Sequence, residues 1–138
     1  MTSQASLDDL NQRLVAKGKD PLPMSRFRPN LVIQGHTAWA EDRMKVIRVG
    51  STIFYVINGC PRCQQSCTDQ DTGVVTDEPA ATLGEFRTMN TTTNSSSSSK
   101  DVYFGVNLVA APGSQGATIR VGDAVTVLAW GTPAWSEG

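Results

Sequence analysis

The segment Cys60-Pro61-Arg62-Cys63-Gln64-Gln65-Ser66-Cys67 holds all three cysteines of the chain. Sulfur at this density can bind a metal, exchange electrons through a Cys-x-x-Cys pair, or pack as a small hydrophobe. Zinc takes four ligands, usually as two Cys/His pairs, and the chain offers one histidine, His36, and no second pair. A thioredoxin-type Cys-x-x-Cys opens a helix after a strand, and residues 64–71 carry no apolar helical stripe. Inert burial fits the spacing alone. Against it, Arg62 beside Cys63 favours the thiolate, the form that binds a soft metal or attacks an electrophile. The odd cysteine count and a start without a signal-peptide pattern argue against a disulfide framework and against secretion.

Short elements must position this segment. A first helix is expected to be capped by Ser6, with Asp8 and Asp9 in its first turn, Leu7, Leu10 and Leu14 on one face, and Gly18 ending it. Leu31-Val32-Ile33 reads as a strand. Val46, Ile47 and Val49 read as another, turning at Gly50-Ser51 into Thr52-Ile53-Phe54-Tyr55-Val56-Ile57, with Asn58-Gly59 as a break before the cysteines. A second helix is expected over 78–87 with Asp77 as its cap. Strand patterns resume at Val102-Tyr103-Phe104 and Val106-Asn107-Leu108-Val109. A hairpin follows, from Ala117-Thr118-Ile119-Arg120-Val121 through Gly122-Asp123 to Ala124-Val125-Thr126-Val127-Leu128. The reading is one mainly β domain over 1–138, with one or two short helices, a flexible Ser/Thr/Asn-rich insertion at 90–99 and a loose tail at 131–138. With 12 Lys+Arg against 13 Asp+Glu, the chain has no basic footprint for nucleic acid, and no apolar run is long enough for a membrane span.

Several stretches together resemble MOSC domains. The strand leading to Cys60-Pro61-Arg62-Cys63, then Thr68-Asp69-Gln70-Asp71-Thr72-Gly73, is similar to the family's metal-binding segment. Arg26-Phe27-Arg28-Pro29-Asn30-Leu31-Val32-Ile33 resembles its "FRPN" strand, and Ala40-Glu41-Asp42 its acidic motif. Phe104-Gly105-Val106-Asn107-Leu108 and Ile119-Arg120-Val121-Gly122-Asp123 resemble its closing strands. Trp39-Ala40-Glu41-Asp42-Arg43 looks most like the bacterial YcbX and mitochondrial amidoxime-reducing branch, whereas Gln64 and Cys67 look like the C-terminal domain of molybdenum cofactor sulfurases.

The resemblance implies a MOSC-type β-barrel lacking its N-terminal strands, and a molybdenum–molybdopterin cofactor. Cys63 would be the thiolate ligand of the metal and the catalytic anchor. Arg28 and Asn30 would contact the pterin, Pro61 would retain only a backbone contact where relatives often carry Ser, and Arg62 would neutralise charge beside the metal. In the reductase branch, such a domain reduces small N-hydroxylated or N-oxygenated compounds with electrons from a separate donor protein. The alternative is a non-catalytic cofactor-binding or sulfur-carrier module, as in the sulfurases, where a pyridoxal-phosphate domain accompanies it and Cys67 becomes the residue of interest. An open barrel edge would be covered by an upstream domain or in a homodimer, and the expected compartment is intracellular, cytoplasmic or mitochondrial.

Other residues have plainer readings. Arg28 and Asn30 also suit a turn around Pro29. Glu41 and Asp42 suit capping or a surface ion pair with Arg43 or Lys45. Asp69 and Asp71 suit a turn in which side chains bind backbone amides. Trp39 suits rim packing, and His36 a solvated loop.

Overall fold

The computed structural model describes residues 1–88 and 101–135; the expected 90–99 insertion lies outside them. Chain order is β1 (Thr2–Ser3), α1 (Gln4–Ala16), β2 (Val32–Ile33), β3 (Met44–Val49), β4 (Thr52–Arg62), α2 (Ala80–Leu83), β5 (Val102–Ala110) and β6 (Val125–Trp130). Strands dominate, as the residue patterns require. Four of them form one antiparallel sheet in the order β5-β4-β3-β6, and β1 pairs in parallel with β2. The expected barrel is not closed. Its edges, β5 and β6, stand on opposite sides of the sheet with two strands between them, whereas closure needs edges that meet.

Helix α1 buries Leu7, Leu10 and Leu14 against Phe27, Leu83 and Phe104, the face its periodicity indicates. Its start differs from expectation. The helix begins at Gln4, and Ser6 is buried inside it. The Ser6 hydroxyl donates to Glu41 Oε2 at 2.9 Å and accepts the Trp39 amide at 2.8 Å, because a buried carboxylate competes for a hydroxyl that would otherwise cap the helix. At the other end Gly18 takes φ +70°, a conformation that suits a residue without a Cβ.

Strand β4 does not stop at Asn58-Gly59 but runs to Arg62 through two irregularities. Between Val56 and Asn58, β4 advances two residues while β5 advances one, from Leu108 to Asn107. Between Gly59 and Pro61, β4 again advances two while β5 advances three, from Val106 to Tyr103. The strand therefore delivers Pro61, Arg62 and Cys63 directly from the sheet.

Two further expectations are corrected. Residues 117–121 form no strand. Arg120 and Asp123 close a local turn, and β6 gives its ladder to β3 instead, from Val49 opposite Val125 to Met44 opposite Trp130. Of that segment only Ile119 reaches the core, so a local hairpin would gain little burial to compete with the sheet. The second helix is a single turn, Ala80–Leu83, and tight turns from Thr82 and Leu83 carry the chain past Gly84 to Arg87. Glu78, not Asp77, supplies its side-chain acceptor, to the Thr82 amide at 3.0 Å. In the C-terminal segment, Gly131 and Ala134 donate backbone bonds to Arg43 and Asp42, and Trp135 stacks near Tyr103.

Candidate functional site

The end of β4 is fastened by Arg62. Its Nε and Nη2 donate to the Phe104 carbonyl at 2.9 and 2.6 Å, and Nη1 donates to the Phe27 carbonyl at 2.8 Å. Beneath it Phe27 and Phe104 stack with centroids 3.8 Å apart. Burial pulls the Arg62 pKa down, while negative charge on Cys60 and Cys63 would favour its charged form. Arg62 thus ties β5 to the 3-10 turn Met24–Phe27 as well as placing positive charge beside Cys63.

Immediately beyond, Cys63 is exposed at the start of the 3-10 turn Gln64–Cys67, a turn too short for a thioredoxin-type helix. Two clefts share Arg62 and Cys63. The smaller, about 280 Å³, is also lined by Arg26, Arg28, Pro61 and Ser66. The larger, about 660 Å³, is also lined by Gln64, Cys67, Asp77 and Glu85. Cys60 is half-buried and Cys67 buried, its Sγ 3.9 Å from the Asp77 carbonyl oxygen; all three cysteines are free thiols.

Of the residues singled out by sequence, Arg28, Pro61, Arg62 and Cys63 meet at the small cleft. Asn30 does not; it lines a separate cavity of about 640 Å³ with Ile119 and Val121. Arg28 ends the 24–27 turn at φ +46°, a left-handed conformation uncommon for a residue with a Cβ, and its side chain is exposed.

Arg26 is the residue that sequence reasoning passed over. It is buried, donates to Asp69 Oδ2 at 3.2 Å and to the Ser66 carbonyl at 3.4 Å, and lines the small cleft beside Arg28. The available signal was the Arg-Phe-Arg pattern: a buried Phe27 between two arginines in a tight turn. Asp69 forms the turn its sequence suggests, with Oδ1 accepting the amides of Asp71 and Thr72 and the Thr72 hydroxyl. The Thr72 bonds, backbone first, hold its carboxyl below the usual range.

Glu41 and Asp42 are not at the surface. Glu41 is fully buried, and Asp42 pairs with Arg87 rather than Arg43 or Lys45. The 3-10 turn Ala40–Arg43 turns both carboxylates inward, where Ser6 and Arg87 give them partners.

The chemistry of the small cleft fits a metal carried by an anionic cofactor. Cys63 offers one soft ligand. Among the described residues no group of three or more His, Cys, Asp or Glu converges on a metal position, so a metal there would draw its remaining ligands from a bound group. Three guanidiniums and no carboxylate line the cleft, which favours a negatively charged occupant. The family profile described as the MOSC domain matches residues 1–126. The chain belongs to this family. Among its relatives, this MOSC domain is 43% identical over 94 residues to the molybdenum cofactor sulfurase of Oryza sativa subsp. japonica, covering 63% of the chain and 11% of that protein. It is 36% identical over 129 residues to mitochondrial amidoxime reducing component 2 of Rattus norvegicus, covering 91% of the chain and 35% of the relative. Against mitochondrial amidoxime-reducing component 1 of Homo sapiens it is 35% identical over 127 residues, with the same two shares. The chain thus spans about a third of the length of the amidoxime-reducing relatives and about a tenth of the sulfurase.

Proposed function

We propose that this chain is the molybdenum-cofactor-binding part of an oxidoreductase that reduces N-hydroxylated or N-oxygenated small molecules, with electrons from a separate donor protein. The observation that supports this most is the position of Cys63, exposed on the rim between the arginine-lined cleft and the larger one. When bound, the cofactor would supply a metal able to change oxidation state by two electrons. The chain's own residues would do the holding. The Cys63 thiolate would ligate the metal, Arg28 would face the pterin from the turn, and Arg62 would keep the strand end in place while offsetting negative charge. Pro61 lines the same cleft and can contribute only its carbonyl and ring. Substrate would approach through the larger cleft, which reaches Cys63 from the other side. A mitochondrial or cytoplasmic setting, and coverage of the sheet edge at β6 by a second copy or by another domain, belong to the same reading.

Metal analysis of the wild-type chain and Cys63→Ala, both purified from cells that make the cofactor, tests the assignment. Molybdenum should fall to background in the variant, and equal molybdenum in both overturns it.

The sulfur-carrier reading draws on the 43% identity to a sulfurase and on Cys67. The burial of Cys67 makes exposed Cys63 the better carrier thiol. A persulfide on a cysteine, detected by mass spectrometry in a protein without reductase activity, would favour this second reading.

A further inference from the structure

Arg28 carries the strained backbone of the small cleft. At φ +46° and ψ +49° it sits in the left-handed region, which a residue with a Cβ enters only under constraint. Trp39, also left-handed, is fixed by its own ring, packed against Phe86 and Phe104. The Arg28 side chain is exposed on the cleft wall, so its constraint comes from the backbone before it.

Each residue of that backbone is gripped from the segment around Cys63. The Ser25 carbonyl accepts Gln70 Nε2 at 2.8 Å as well as the Arg28 amide at 3.1 Å. The Phe27 carbonyl accepts Arg62 Nη1, and the Phe27 ring lies on Phe104. Between them, Arg26 donates from Nη2 to Asp69 Oδ2 and from Nη1 to the Ser66 carbonyl, with its Nε sealed from solvent. These bonds turn the Arg26 guanidinium toward the protein and away from any arriving ligand. Ser66 in turn donates to the Cys63 carbonyl from its amide at 3.1 Å and its hydroxyl at 3.0 Å. Asp69 is pinned through Oδ1 by Asp71 and Thr72. A strained residue persists only where its surroundings over-determine it, and here those surroundings are the turn that follows the exposed thiol.

We propose that Arg26, clamped by Asp69 and Ser66, is a positioning residue that holds Arg28 in its left-handed conformation and so sets the Arg28 and Cys63 walls of the small cleft as one unit. What Arg28 meets in the cleft rests on the proposed function; how its backbone is held does not.

The backbone demand is read in the full chain, free of cofactor, by comparing Arg28→Asn with Arg28→Ala. Both remove the guanidinium, but Asn tolerates the left-handed region and Ala does not. With Arg26 intact, the thermal midpoint of Arg28→Asn should lie about 3 °C or more above that of Arg28→Ala. With Arg26→Gln added to each, the turn is free to relax and the gap should close. A general loss of stability would lower both midpoints and leave the gap in place. Arg26→Lys, which keeps the charge and loses the fork, should give an intermediate gap. An equal gap with and without Arg26, or no gap while Arg26 is intact, overturns the proposal. Should Arg26→Gln fail to fold, Asp69→Asn takes its place. It keeps one oxygen for the amides of Asp71 and Thr72 and gives up the charge facing Arg26, and an undiminished gap there overturns the clamp.

The cleft itself is read by metal content in chains purified from cells that make the cofactor. Arg26→Gln should hold about tenfold less molybdenum than wild type, the order expected when an outer partner of a direct contact is removed. Wild-type content overturns its role at the cleft. Equal molybdenum in wild type and Cys63→Ala, with a gap that closes without Arg26, would sink the proposed function and leave the backbone clamp standing. Molybdenum lost from Cys63→Ala, with the gap unchanged, would do the opposite.

Discussion

Arg87 grips Asp42 with both prongs of its guanidinium: Nη1 lies 2.7 Å from Oδ2 and Nη2 lies 2.8 Å from Oδ1, with both side chains almost completely buried. The same guanidinium donates from Nε to the Tyr103 carbonyl at 2.7 Å and lies 4.2 Å from the Trp39 ring centre and 5.4 Å from that of Trp135. The Asp42 carbonyl accepts the Ala134 amide. One pair therefore joins the 40–43 turn, the segment after α2, strand β5 and the C-terminal residues.

Removing one partner of this pair should be severe. Asp42→Asn or Arg87→Gln is expected to cost about 3–5 kcal/mol in urea unfolding, because the remaining charge stays buried without its counterion. The double variant Asp42→Leu/Arg87→Met should recover part of that loss. A single-variant cost below about 1 kcal/mol would show that the buried pair does not hold these segments together.

Glu41 is fully buried, and burial pushes its pKa above the ordinary value of 4.5, with the Ser6 hydrogen bond pulling the other way. The folded state therefore holds this proton more tightly than the unfolded chain. The corresponding stability is present below pH 4.5 and declines as pH rises from there through the folded-state pKa. Glu41→Gln should flatten that decline, so the difference between the two proteins' unfolding free energies should change across this window and then level off. Parallel stability-pH curves would contradict it.

Thiol reactivity should follow exposure. Under native conditions a maleimide should label Cys63 fastest, Cys60 more slowly, and buried Cys67 only after denaturation, as read by peptide mass spectrometry. Rapid native labelling of Cys67 would mean that the 64–67 turn opens readily.

Gly59 sits under Trp135. A Cβ added there would lie 2.6 Å from the Trp135 Cβ and 3.0 Å from Tyr103 Cδ1. Gly59→Ala should displace residues 134–135, change tryptophan emission and cost about 1–3 kcal/mol through overpacking. Unchanged emission together with full stability would be inconsistent with this packing.

What the sequence reveals depends on how far apart the deciding partners are. The Leu7, Leu10 and Leu14 stripe and the turn at Gly50-Ser51 are local patterns, and both elements form where those patterns lie. Ser6 looks like a cap because its partner, Glu41, is 35 residues away. Asp42 looks like a surface charge because Arg87 is 45 residues away. The 117–121 segment has strand composition, but its expected partner β6 is taken by β3, a competition that local pattern does not record. At the site, Arg28, Pro61, Arg62 and Cys63 are legible as motif residues. Arg26 is not, since its burial follows from Asp69 and Ser66 approaching from another turn.

The irregularities of β4 have a consequence for how the site tolerates changes in length. The extra residue in β4 near Ile57 is offset by an extra residue in β5 between Tyr103 and Val106, so the two strands regain step before Arg62 meets Val102. Deleting Ile57 alone would slip the strand end by one position and turn the following residues to the opposite face, taking Cys63 off the rim. A second deletion, of Gly105, would bring it back. The thiol's location is thus encoded as a difference between two strand lengths, and harmful indels in one strand should find their suppressors in the other.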